Sequence, residues 1–492
     1  MLSKKIYDLA VIGSGGGTYL PDKAIETGHR VALIEGSDWG GTCLNHGCIP
    51  TKIMVHVADV IKMTRQGQDL ALKGNPMEVD WPKLEERVFS KLQEGEGMVD
   101  YYAPYPNIDL YKAFASLAGR EEIEGETVFV LNPSKDGQKQ GQIKARQVVI
   151  ANGARTNIPT GIGLEEVKPL TSETLFKRET WPKALPKTML ILGGGDIGTE
   201  FAYVFQSFGV KVSLIQRSGR LVPKQDPEVS DRLKNVLEDY GVNVLTNKTT
   251  IEAGLADGQK YLRLKDRESG EEETLTADEI FVCTGVRSNA DTLALENIGL
   301  ETVRGYIPTN AYLETAVPGI YAMGDINGMY QLRHVSNYEG QILAHNLMDP
   351  AVKRPEDRRK VDYSAVPRAT FTVLQIGQVG LTEPECLAQN LDYKVGYLRF
   401  SDTAQGYARG FLPEHEKTDG FCKVLVEKDT HRILGVHIMA DEASSLITPF
   451  TYLLAMDPEK YTPNRYENIT EAMTVHPSLS ELSAWAFENW KE

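Results

Sequence analysis

Short apolar runs alternate with glycine turns and helix-period stretches along the first part of the chain. Tyr7 to Ile12 reads as an apolar strand, and GSGGG follows it, carrying Gly13, Gly15 and Gly16. A polar–apolar stretch of helical period leads to a second apolar run, Val31 to Ile34, that ends at Glu35. This order predicts a βαβ unit. A glycine turn there lets backbone N–H groups and a helix N-terminus face a pyrophosphate. Glu35, 22 residues after Gly13, stands where a carboxylate accepts from ribose hydroxyls. The third glycine position holds Thr18, and Pro21, beyond the first helical position, is expected to interrupt the helix.

A second unit starts with the apolar run Met189 to Leu192 and completes the glycine spacing with Gly193, Gly195 and Gly198. Two such units in one chain point to two nucleotides and to electron transfer between them. The segments 148–159 and 280–289, which contain Gly153 and Gly285, each read as a strand running into a small-residue turn where the chain crosses between domains. Residues 316–347 predict a strand, Asp325 just past a glycine, and a helix; Arg354 to Lys360 is a charged linker. Beyond it, Ala369 to Val373, Phe421 to Glu427 and Ile433 to Met439 are strand-like segments mixed with helical ones. The expected class is therefore α/β: two Rossmann-like dinucleotide-binding domains and a C-terminal α+β domain.

Composition narrows the function. With 492 residues, 41% hydrophobic and 25% charged, the chain is an ordinary globular protein of several domains. Its formal net charge of −15 argues against nucleic acid and anionic lipid as partners. No apolar run is long enough to span a membrane, and the N-terminus enters a strand pattern without a cleavage signature, so a cytoplasmic protein is expected. Five cysteines are too few for a secreted disulfide scaffold.

Two of them, Cys43 and Cys48 in GGTCLNHGCIPTK, lie just past the first unit's second strand, near the reactive end of its nucleotide. The four intervening residues permit a small disulfide ring. One thiolate there can attack a substrate disulfide while its neighbour exchanges electrons with a ring system; two inert buried thiols are the plainer alternative. A zinc site lacks a ligand even when His46 is counted, and no metal is expected. His46 either tunes the thiolates or is simply exposed. Cys283, Cys386 and Cys422 read as ordinary core or surface residues.

GSGGG, GGTCLNHGCIPTK, GGGDIGTE, AMGD and HPSLSE occur in this order over nearly the whole chain. On these motifs it resembles the pyridine nucleotide–disulfide oxidoreductases, homodimeric flavoenzymes that include dihydrolipoamide dehydrogenase, glutathione reductase and mycothione reductase. The resemblance implies an FAD-binding domain in residues 1–160 and 285–353, an NAD(P)-binding domain in 161–284 and a dimerisation domain in 354–492. It makes Cys43 the interchange thiol and Cys48 the thiol beside the flavin. Lys52 would stand near the flavin ring, paired with Glu200. Asp325 would hold the ribityl chain and Glu35 the adenosine ribose, with Gly13, Gly15, Gly16, Gly41, Thr42, Gly153 and Gly285 completing the flavin site. Gly193, Gly195, Asp196, Ile197 and Gly198 would line the nicotinamide coenzyme. His476, oriented by Glu481, would reach the partner subunit's cysteines and move protons there.

NADH enzymes of this type generally place an acid where this chain has Gln216, followed by Arg217 and Arg220. An uncharged Gln removes repulsion from a 2′-phosphate and two guanidiniums can clamp it, so NADPH is expected in preference to NADH. The cysteine and HPSLSE motifs resemble the lipoamide enzymes most, whose partner is the lipoyl arm of a 2-oxoacid dehydrogenase complex. Thr18 and QLRHVSNYEGQILAHNL are instead similar to mycothione reductase, which reduces a low-molecular-weight disulfide with NADPH, and the coenzyme residues pull the same way. A dihydrolipoamide dehydrogenase-like activity is the leading expectation, and an NADPH-dependent reductase of a small disulfide of mycothione or glutathione type the alternative. Asp196 stands where some relatives carry an aromatic lid. The absence of a cysteine pair beyond His476 disfavours the large thioredoxin reductases and metal-ion reductases with a C-terminal thiol relay. A diaphorase passing electrons to a partner protein is the alternative of another class; it needs neither the cysteines nor the His476–Glu481 pair.

Overall fold

The computed structural model describes residues 6–68, 70–456 and 464–491. Its first sheet is built around the strand Ile6–Ile12, which pairs in parallel with Val31–Glu35 on one side and Ile143–Ile150 on the other. Ile108–Lys112 extends the sheet beyond Val31–Glu35, and Ile320–Ala322 adds a parallel strand to the far half of Ile143–Ile150. Every residue of Val31–Glu35 is buried, as expected of a parallel strand covered on both faces. The near half of Ile143–Ile150 pairs with an antiparallel hairpin, Phe114–Ile123 and Glu126–Lys135, that the sequence pattern did not separate from loop.

Pro21 does not interrupt the first helix. A 3-10 turn, Gly16–Thr18, comes first, and the helix runs Tyr19–Thr27 with Pro21 in its opening turn. The first four N–H groups of a helix have no partner within it, so the missing donor of proline costs nothing there. Thr18 fits its place by turning its hydroxyl to the Gly15 carbonyl, at 3.1 Å.

The second sheet has four parallel strands in the order Asn243–Leu245, Lys211–Ile215, Thr188–Leu192, Glu279–Val282. Beside it lies a three-stranded antiparallel sheet, Lys248–Ala256, Gln259–Asp266 and Glu272–Ala277. The short antiparallel pair Ala154–Thr156 and Val286–Ser288 forms where the sequence has its two crossing segments. Arg155 clamps this pair through Asn289 and through both carboxylate oxygens of Asp291.

The C-terminal part is a five-stranded antiparallel sheet in the order Arg368–Phe371, Gln375–Gly380, Ile433–Ala440, Phe421–Glu427, Tyr393–Arg399. The charged stretch before it is pinned down: Arg354 pairs with Asp357, Arg358 with Glu314, and Asn346 bonds both the N–H and the carbonyl of Arg359. One buried cation joins this sheet to the second glycine unit. Lys423, in the strand Phe421–Glu427, meets Asp226 at 3.0 Å and Glu383 at 2.5 Å, and Asp226 caps the helix Pro227–Asp239.

Lys423 and Asp226 are buried while Glu383 keeps some contact with water, so removing Lys423 strands the buried Asp226 charge. Lys423→Met is expected to destabilise the protein by about 3–5 kcal/mol, read as a lower midpoint in denaturant. A surface replacement such as Lys428→Met, at an exposed pair with Asp392, should leave the midpoint nearly unchanged.

Candidate active site

Both glycine units close by the same device. In the first, Gly13 has φ +107°, and a Cβ there would stand 2.3 Å from the Ala151 carbonyl oxygen. Glu35, at the end of the neighbouring strand, then accepts from the Ser14 N–H at 2.9 Å and the Ser14 hydroxyl at 2.7 Å. In the second, Gly193 has φ +116° and the corresponding clash would be with the Cys283 carbonyl oxygen, at 2.4 Å. Gln216 takes the place of Glu35, its side-chain carbonyl accepting from the Gly194 N–H at 2.9 Å. Glu35 and Gln216 thus hold their loops from the next strand, a role the spacing argument did not include.

The first loop forms a cradle of bare backbone. A Cβ on Gly41 would lie 2.8 Å from Gly15 Cα, and one on Gly16 would lie 2.1 Å from Ser336 Oγ. Gly153, at φ +65°, and Gly285, at φ +95°, face open space at the crossing turns. Asp325 sits in the 3-10 turn Gly324–Asn327, where burial and then the negative charge of Glu339 push its carboxyl up to about 6. Glu339 is fully buried and accepts from Gly324 N–H, Asn327 and Tyr363. It holds that turn from below, and no motif singled it out. Paired strand ends, side-chain-free loops and a buried acceptor make a donor set that fits a flavin dinucleotide.

The cysteines lie beside this cradle. Gly41–Asn45 is a single helical turn containing Thr42, which is exposed, and Cys43; Cys48 opens the helix Cys48–Arg65. Asn45 fixes the turn by donating to the Trp39 and Gly41 carbonyls. Both thiols are free, and they hydrogen-bond to each other. The Cys43 thiol is lowered to about 7 by the Cys48 hydrogen bond, with further help from the charges of Arg333 and Lys52. Cys48, donor in that bond and partly desolvated, is raised. The two share one proton as a unit.

His46 is not exposed. It is buried at the end of the Gly41–Asn45 turn, 3.6 Å from Asp38, and burial lowers its pKa, so it is a neutral residue packed under the cysteine turn. Cys386 and Cys422 are buried, and Cys283 lies against the Leu192 and Gly193 carbonyls. Among the described residues no cluster of three or more His, Cys, Asp or Glu side chains could hold a metal.

The two units meet at Lys52. Its ammonium lies 2.6 Å from Glu200, in the helix Asp196–Ser207, and 4.0 Å over the ring of Phe371. The other Glu200 oxygen accepts from the Phe371 N–H at 2.9 Å, and burial raises the carboxyl's pKa. Asp196, at the head of that helix, accepts from Thr370 at 2.7 Å, and Ile197 beside it is exposed. Gly195 faces open space, and Gly198 packs so closely on the Gly193 carbonyl that a Cβ would lie 1.7 Å from it.

Two sets of predicted residues stand apart from this assembly. Arg220 is held in a two-point contact by Asp231, so Arg217, exposed and without a side-chain partner, is the remaining free guanidinium of the expected clamp. His476 contacts Glu481 at 2.5 Å and stacks near Trp485, and no contact joins it to the cysteines of its own chain among the described residues. Glu481 is buried while the imidazole is largely exposed.

Comparison with known proteins shows the family. The model of the pyridine nucleotide-disulphide oxidoreductases matches residues 7–340, and that of their dimerisation domain matches residues 366–487. The chain belongs to the pyridine nucleotide-disulphide oxidoreductase family, enzymes that use FAD and NAD(P)H. It is 32% identical over 483 residues to mycothione reductase of Mycobacterium tuberculosis, with 97% of each chain covered. It is 28% identical to dihydrolipoyl dehydrogenase of Bacillus subtilis, covering 96% of each, and 32% identical to mercuric reductase of Staphylococcus aureus, covering 98% of this chain and 82% of that one. Its structure is similar to the Cu(II) complex of the HOCl-induced flavoprotein disulfide reductase RclA from Escherichia coli, with TM-score 0.78, 25% identity and 99% of each chain covered. No helix of the described residues is long and apolar enough to cross a membrane.

In the reduced protein, alkylation of Cys43 by iodoacetamide should rise with pH through a midpoint near 7, since only the thiolate reacts. Cys48→Ala removes the largest lowering contact, and the midpoint should move up towards the ordinary thiol value of about 8.5. An unmoved midpoint would show that Cys48 does not set the acidity of Cys43.

Proposed function

We propose that this enzyme uses NADPH to reduce a low-molecular-weight disulfide through Cys43 and Cys48. The observation that carries the reading is the hydrogen-bonded thiol pair with its acidic member at Cys43, beside a Lys52–Glu200 pair that links it to the second nucleotide unit. What FAD supplies when bound is a two-electron link between a nicotinamide and a disulfide. Residues Gly13, Gly15, Gly16, Gly41, Thr42, Gly153, Gly285, Glu35 and Asp325 would hold it. The protein's own thiols then carry the chemistry. The Cys43 thiolate attacks one sulfur of the substrate, forming a mixed disulfide and releasing the other half as a thiolate. His476 of the partner subunit, held by Glu481, protonates that leaving thiolate. The Cys48 thiol next gives its proton to the imidazole of the partner's His476, left neutral by the first transfer, and its sulfur attacks Cys43 Sγ. This closes the Cys43–Cys48 disulfide and releases the second thiolate, which takes up that proton; two electrons and two protons have then passed to the substrate.

Support for NADPH comes from Gln216, which carries no charge at the position of Glu35 in the first unit, and from the unpartnered Arg217. NADPH favours the reductive direction, and the mycothione reductase match fits it. A second reading, oxidation of a lipoyl dithiol carried on a 2-oxoacid dehydrogenase complex, is favoured by the cysteine and HPSLSE motifs and by the dihydrolipoyl dehydrogenase match. A homodimer with a shared site is part of either reading and rests on the dimerisation-domain match. A cytoplasmic location is consistent with both.

Comparison of kcat/KM should favour NADPH over NADH, and Gln216→Glu should lower the NADPH value by restoring repulsion to the 2′-phosphate. A tenfold preference for NADH, with turnover of dihydrolipoamide but not of small disulfides, would instead select the second reading. Cys43→Ser should abolish disulfide reduction, and His476→Ala should lower it by about 10²–10⁴-fold. Full disulfide reduction by a Cys43→Ser, Cys48→Ser double variant would leave only an electron carrier.

A further inference from the structure

The helix Arg333–Met348 brings into the flavin cradle a cation to which the sequence reading gives no role. The helix lies along the first glycine loop: a Cβ on Gly340 would stand 2.9 Å from the Gly16 carbonyl oxygen, and Ser336 touches Gly16. This contact fixes where the helix begins, and Arg333 is its first residue. Its Nη1 reaches to 3.3 Å from the point where a Cβ of Gly15 would be. Its charge also acts on Cys43 and on Asp325, so the guanidinium stands among the glycine loop, the cysteine turn and the Gly324–Asn327 turn.

Arg333 is half-buried, yet among the described residues it has no hydrogen bond, ion pair or ring contact. That is notable in a chain with 68 acidic side chains, where Arg146, Arg155 and Arg358 each hold a carboxylate. Guanidinium donors partly withdrawn from water without a protein acceptor favour a ligand that supplies one, and a guanidinium fork matches phosphate oxygens. The loop it touches presents side-chain-free backbone of the kind that receives a pyrophosphate.

We propose that Arg333 is an anchoring residue for FAD, its guanidinium pairing with the pyrophosphate held on the loop at Gly15. This rests on the reading that FAD occupies the first glycine unit. The test strips FAD from the wild-type protein, Arg333→Ala and Arg333→Lys, and titrates each with FAD while following flavin fluorescence. The thermal midpoint of each stripped protein serves as the folding control. Arg333→Ala should bind FAD about tenfold more weakly or worse, and Arg333→Lys should recover part of the loss, with stripped midpoints alike. Equal affinities in all three would overturn the proposal while leaving the flavoenzyme reading intact. So would an unchanged FAD affinity accompanied by an upward shift of the Cys43 alkylation midpoint, which would make Arg333 a support of the thiolate alone. Equal losses in both variants with lowered stripped midpoints would mark a purely structural role and also overturn it. A wild-type protein that binds no FAD would defeat the flavoenzyme reading itself.

Discussion

Lys52 lies at the start of the second turn of the helix that Cys48 opens, and Glu200 at the same place in the helix that follows the second glycine loop. Their 2.6 Å contact joins the thiol turn to the coenzyme loop, and the second Glu200 oxygen, bonded to the Phe371 N–H, brings in the C-terminal sheet. Three parts of the chain therefore share one carboxylate. Glu200 is buried, so its charge is tolerated only while both partners stay in place. The geometry of the site follows from that condition. A shift of either helix would strand a charge, and the thiols cannot move away from the second nucleotide unit without such a shift.

The same constraint explains why much of the site was legible in the sequence. Residues whose role depends on backbone shape left a spacing signal, because the positive φ at Gly13 and Gly193 excludes other side chains. The Lys52–Glu200 pair and the His476–Glu481 pair are contacts that the family resemblance implies. Residues that act through side-chain packing left none. Glu339 supports the Asp325 turn, and Arg333 enters the cradle, from one helix, Arg333–Met348; neither has a period in sequence that announces its role. A 3-10 turn ahead of the helix moves Pro21 into its opening turn, and the burial of His46, which excludes its exposed alternative, depends on the fold around the turn; neither leaves a mark in the local sequence. Arg220 is engaged through Nε and Nη2, one edge of its guanidinium, by Asp231 on the following helix, a contact that adjacency in sequence does not announce.

The fold divides along the same line. Parallel strands buried on both faces, such as Val31–Glu35 and Thr188–Leu192, appear as continuous apolar runs and were read within one or two residues. The hairpin Phe114–Ile123 with Glu126–Lys135 and the three-stranded sheet from Lys248 to Ala277 expose many side chains and carry mixed patterns. Their pairing is decided by the sheet they extend or cover rather than by their own periodicity.

His476 and Glu481 contact each other but, among the described residues, not the cysteines of their own chain. The carboxylate is buried and holds the imidazole at Nδ1, although one of its oxygens has no partner. Such a contact fixes the ring and leaves Nε2 as the atom that exchanges a proton. The ring is largely exposed, and Val475 and Met473 beside it are also exposed apolar residues. An oriented imidazole rimmed by uncovered apolar side chains is arranged for a surface outside its own chain. In the proposed homodimer that surface is the cysteine turn of the partner, where a leaving thiolate needs a proton, and the apolar rim would exclude water from the transfer.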